Sequence, residues 1–103
     1  MRRLLALLLL IPSPALAQFP PPGIFECEDA SGTKLGTLSL LVAGDYQWDA
    51  GGQTYLGQLA SSGNIVEALD GKLGEAKWRG TFVTQMDRTM FVFDTDAGQV
   101  ICK

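Results

Sequence analysis

From Gly23 onward, hydrophobic and polar positions alternate in short runs separated by turn residues. Phe25 and Cys27 alternate with Glu26 and Glu28, the period-2 pattern of a strand with one wet face. Residues 35–42 form the second predicted strand, with Leu38, Leu40 and Val42 on one face and Thr37, Ser39 and Leu41 on the other. Gly44-Asp45 supplies a turn where positive φ costs little. Tyr46 and Trp48 then share one face of a third strand, opposite Gln47 and Asp49. After the turn Ala50-Gly51-Gly52, residues 54–60 place Tyr55, Gly57 and Leu59 together. The turn Ser61-Ser62-Gly63-Asn64 leads to a fifth strand over 65–69.

Asp70-Gly71 is a hairpin-type dipeptide, lengthened by Lys72-Leu73-Gly74. Residues 75–83 alternate cleanly, Ala76, Trp78, Gly80 and Phe82 against Lys77, Arg79 and Thr81. Gln85-Met86-Asp87 turns the chain into residues 89–94, which are apolar on both faces, Met90 and Val92 opposing Phe91 and Phe93. After a turn over 94–98, residues 99–103 carry Val100 and Cys102 on one face. About eight short strands with turn signals every 8–12 residues or so predict an all-β sandwich or barrel. Short links between neighbours predict an antiparallel meander.

The first residues follow a different pattern. Arg2 and Arg3 precede an unbroken apolar run over 4–11, then Pro12-Ser13-Pro14 and the small residues Ala15 and Ala17. This predicts a secretory signal peptide over 1–17, cleaved after Ala17. Its apolar run falls well short of the roughly 20 residues that span a bilayer, so no membrane span is expected after signal removal. No cysteine stands at the cleavage point, against a lipid anchor. Residues 18–22, with Phe19 and three prolines, form a Pro-rich lead-in that cannot donate to a ladder. Residues 23–103 form the single β domain.

Loss of Arg2 and Arg3 leaves six basic against eleven acidic residues, a net charge of −5. Nucleic acid and anionic membrane surfaces are therefore poor partners. There is no histidine, so the usual near-neutral acid–base group and the commonest zinc ligand are both missing.

Cys27 and Cys102 stand near the two ends of the domain. In an exported protein they are expected to form a structural disulfide. A free thiol pair and a redox site are the other readings, though a redox pair usually stands two residues apart. Both fall on predicted inward faces, of the first and last strands. A bond needs their Cα atoms within about 7 Å, so those strands would be neighbours or face each other across the core. End-to-end closure removes two exposed edges. The expectation is a closed or nearly closed barrel with little room for an internal ligand.

The pattern Cys27, Gly36-Thr37-Leu38-Ser39-Leu40, Gly44-Asp45-Tyr46-Gln47-Trp48, Gly57-Gln58-Leu59, Ser62-Gly63-Asn64, Gly71-Lys72-Leu73 and Ile101-Cys102-Lys103 resembles a group of small exported disulfide-containing β-domains of uncharacterised function. The resemblance implies a fold and no activity. More distantly, the chain resembles the bacterial secreted metalloprotease inhibitors, small periplasmic barrels with one disulfide. That likeness implies that Gln18-Phe19-Pro20-Pro21-Pro22 enters a protease cleft. Here, however, the disulfide would span the whole domain instead of an internal loop.

Candidate chemistry is sparse. Asp94-Thr95-Asp96 resembles a fragment of a calcium loop, to which Glu26, Glu28 and Asp29 would add carboxylates if first and last strands are adjacent. The competing reading is a polar hairpin turn, and no cofactor is expected. Asp45 with Asp49, or Glu67 with Asp70, are conceivable acid–base pairs, but turns and wet faces leave a carboxylate its ordinary pKa. Without histidine no conventional serine triad forms, which leaves only a Ser–Lys arrangement open. Tyr46, Trp48, Tyr55 and Trp78 are candidate binding aromatics, with core packing as the alternative. Lys77 and Arg79 are expected on a solvated outer face, in cation–π range of Trp78.

The sequence thus points to a non-enzymatic, exported binding or interaction module in the periplasm or outside the cell. Its partner would be a protein or another extracellular ligand. The alternative is a peptidase inhibitor acting through the N-terminal tail or a turn, and the third reading is a small hydrolase.

Overall fold

The computed structural model describes residues 20–103. The signal peptide assigned to 1–17, with Gln18 and Phe19 of the lead-in, lies outside the described residues. Eight antiparallel strands close into a barrel in sequence order: β1 (Gly23–Asp29), β2 (Lys34–Leu40), β3 (Asp45–Ala50), β4 (Gln53–Ser62), β5 (Ile65–Ala68), β6 (Arg79–Gln85), β7 (Arg88–Thr95) and β8 (Gly98–Cys102). The closing seam is the pairing of β1 with β8, in which Cys27 lies directly opposite Cys102. Their disulfide joins the first and last strands across a separation of 75 residues. In the chain-entropy picture a loop of that length is worth about 4–5 kcal/mol, a large fraction of the stability of so small a domain.

An eight-stranded barrel has an interior just wide enough for side chains, and here aromatic rings fill it. Phe25 packs edge-on to Phe91 at 5.0 Å between ring centroids. Phe91 stacks on Phe93 at 5.5 Å. Trp78 follows, 5.1 Å from Phe93 and 5.1 Å from Trp48. Each such pair adds about 0.5–1.5 kcal/mol beyond its buried area. Leu38, Leu40, Leu59, Val66, Leu73 and Val100 pack around this column. Two glycines make room for the packing. A Cβ at Gly57 would meet the Tyr46 hydroxyl at 2.5 Å, and one at Gly80 would collide with the Val92 carbonyl.

Three expectations are corrected. The second strand stops at Leu40 instead of running to Val42. Val42–Gly44 forms a 3₁₀ turn with Ala43 and Gly44 at positive φ, which rolls Val42 out into solvent. The fifth strand ends at Ala68, and Asp70-Gly71 opens a short helix, α1 (Gly71–Glu75), where a hairpin was expected. The sixth strand starts at Arg79, not at residue 75. The chain turns at Lys77, whose φ is 60°, before entering it. Trp78 still points inward, because the turn delivers it to the core that the expected alternation would have reached. The β6–β7 connection is a two-residue hairpin, Met86-Asp87, with both residues at positive φ, as a type I′ turn requires.

Candidate functional site

β5 and β8 are the two shortest strands, with 4 and 5 residues. β8 ends before both of its neighbours do, and β5 ends while β4 runs on, so the wall has a gap beyond each. Strand directions put the two gaps at opposite ends of the barrel.

The gap beyond β5 is filled by α1. Leu69 N–H donates to the Gln58 carbonyl on β4, and the Asp70 carboxylate accepts Gln58 N–H at 2.9 Å. Leu73 drops from the helix into the core. Its N–H donates to the Tyr46 hydroxyl at 3.1 Å, while that hydroxyl donates to the Asp70 carbonyl at 2.7 Å. Burial raises the Tyr46 phenol above its usual pKa. On the other side, Asp96 N–H donates to the Ala76 carbonyl and ties the helix to the β7–β8 turn.

The gap beyond β8 is open among the described residues. Ile24 and Phe25 of β1, Val83 and Gln85 of β6, the Met86-Asp87 turn, Arg88–Met90 of β7 and Lys103 surround a depression of about 680 Å³. Its apolar side chains point outward: Ile24 is 72% exposed, Met86 94%, and Val83 and Met90 are exposed as well. Buried Phe25 lies at its floor, with Arg88 and Lys103 at its margin.

The expected site residues are placed as follows. Tyr46, Trp48 and Trp78 are core residues, 1%, 6% and 5% exposed, which leaves their faces no access to a partner. Tyr55 is half-buried, and the cation over its ring is Lys72, 5.1 Å from the centroid. Lys77 and Arg79 are exposed. Asp94 is exposed within β7, opposite Gln99, where a turn was expected, and Asp96 is exposed in the β7–β8 turn, which Thr95 organises by donating its hydroxyl to the Gly98 carbonyl and accepting Ala97 N–H. Among the described residues no three His, Cys, Asp or Glu side chains converge on a possible metal position.

Several other carboxylates serve local structure. Glu26 pairs with Lys34 at 2.7 Å, and that ammonium lowers its pKa. Asp29 accepts the Ser31 hydroxyl and the N–H groups of Ser31 and Thr33; these bonds, led by the hydroxyl, lower its pKa. Asp49 is lowered by the Thr54 hydroxyl and then by the Gln47 amide. Asp45 instead accepts the Gln58 amide at 2.6 Å. Glu28 faces Ile101 across the seam, and Glu67 faces Arg79 across β5–β6.

The residues that line the open gap were not singled out from the sequence as a site. One signal for them was available: residues 89–94 are apolar on both faces, more than a single core needs. Protein-family models, curated proteins and solved structures give no match to this chain.

Proposed function

We propose that this is an exported, non-enzymatic binding module that uses the open end of the barrel. The observation that carries this reading is the depression rimmed by Ile24, Val83, Met86 and Met90, large apolar side chains exposed together. Scattered exposed apolar residues are ordinary, but grouped ones around a concavity favour an interaction surface. The disulfide supports an oxidising compartment, in line with the leader-like residues 1–17. The peptidase-inhibitor reading keeps one supporting observation: Pro21 and Pro22 are exposed just ahead of β1, whose Ile24 and Phe25 line the same depression.

The test is selection of a random-peptide library on the immobilised, disulfide-bonded protein. Enriched peptides should lose at least about tenfold in affinity, or ~1.4 kcal/mol, on the double variant Ile24→Ser, Met86→Ser. No enrichment, or equal binding to the variant, would overturn the reading.

A further inference from the structure

The backbone around the depression specifies its occupant more closely than the side chains do. Glu26 N–H donates to the Lys103 carbonyl at 3.0 Å, and Lys103 N–H returns a bond to Glu26 at 3.1 Å. Both backbone groups of Glu26 therefore face β8. In an antiparallel strand the same edge is used again two residues away, so the N–H and C=O of Ile24 face the same way. Lys103 faces β1, so Cys102 faces β7, where Phe91 lies opposite. Two residues back, the N–H and C=O of Thr89 face the space beyond β8. The Cys27–Cys102 pair has a Cα separation of 4.0 Å, as suits the close, non-hydrogen-bonded pairs between which these bonds alternate.

β8 stops at Cys102, and Lys103 is the last described residue. Ile24 and Thr89 thus present backbone edges to each other across the path a longer β8 would take. Strands lie about 4.8 Å apart, and a continuation of β8 along this path would have a neighbour on each side. Among the described residues no strand pairs with Ile24 or Thr89 there.

Resting on the binding-module reading, we infer that the depression accepts an extended polypeptide strand, inserted between β1 and β7 in line with β8. Main-chain bonds supply affinity in such strand addition, and alternate side chains supply specificity. Continuing the register puts the first inserted residue opposite Thr89 and beside Phe25, pointing inward over the core. The second lies opposite Ile24 and beside Arg88, pointing outward. The partner segment is therefore extended, carries a small or β-branched residue at the inward position and an apolar one at the outward position, and has proline at neither.

The experiment tethers the probe. The full disulfide-bonded chain is made with Thr-Val-Thr-Val-Thr added after Lys103, which gives the strand a high effective concentration. Amide hydrogen exchange of Ile24 and Thr89 should slow at least about tenfold against the unextended protein, and the Tm should rise. A control whose first two added residues are prolines should show neither change. Unchanged exchange at Ile24 and Thr89 in the Thr-Val extension would overturn the inference. Library-selected peptides that need Ile24 and Met86, yet leave those amides unprotected, would overturn strand insertion and spare the binding reading. A docked extension with no selectable peptide would support the slot and defeat the binding reading.

Discussion

The two gaps in the barrel wall begin from the same cause, a strand shorter than its neighbours, and end differently. Beyond β5 the chain supplies its own plug. The five-residue α1 and its flanks bury Leu73 and tie β3, β4 and the β7–β8 turn together through Tyr46, Gln58, Asp70 and Asp96. Beyond β8 the described chain supplies nothing, and apolar side chains stay in water beside backbone edges that face no strand. A fold this small has little apolar surface to leave unburied. At the filled gap the chain buries its own apolar surface, and the open one marks where a partner could add to it.

The largest effect should come from the seam beside the open gap. The double substitution Cys27→Ser, Cys102→Ser should lower stability in denaturant by about 4–5 kcal/mol. A loss below about 1 kcal/mol would show that strand pairing alone closes the barrel. Next, truncating the plug should separate the gaps. Leu73→Ala should cost about 2–5 kcal/mol as a buried large-to-small change, while Ile24→Ala, at the open gap, should stay within about 0.5 kcal/mol. Equal costs by thermal or chemical unfolding would erase the distinction.

A smaller effect is expected at Tyr46. Tyr46→Phe would leave the Asp70 carbonyl and Leu73 N–H without their partner, at about 1–3 kcal/mol. The substitution should also change the response to alkali. The folded state holds the phenol proton above the unfolded value of about 10. Above that pH the unfolded chain binds fewer protons than the native one, so stability falls as pH rises through the folded pKa. Urea titrations from about pH 8 to about pH 11 should show this loss in the parent and less of it in Tyr46→Phe. Parallel curves would mean that the hydroxyl is not held in the plug.

Most of the barrel was legible because alternation is a strong signal where one face is wet. Phe25 and Cys27 against Glu26 and Glu28, and Tyr46 and Trp48 against Gln47 and Asp49, face as the pattern predicts. The disulfide was expected from an even cysteine pair behind a leader-like segment, and closure of the barrel from its place on the inward faces of the first and last strands. The plug was not legible. Five residues are too few to show helical periodicity, and Ala76, Trp78 and Gly80 mimic a strand across what is a helix end and a turn. The open groove was hidden for another reason. It depends on where β8 stops relative to β1 and β7, and register between distant strands is not written in local pattern. Ile24 and Val83 already fall on the wet faces of their strands by alternation, but nothing local places them beside Met86 and Met90.

Native-state hydrogen exchange on the unmodified protein tests the contrast between the two gaps most directly. The amides of Gln58, Leu69 and Leu73, all bonded within the filled gap, should exchange only through global or near-global opening. Those of Ile24 and Thr89 should exchange faster by orders of magnitude. If Ile24 and Thr89 are protected as strongly as Leu73, the second gap is already closed, and the binding slot proposed at this end of the barrel does not exist.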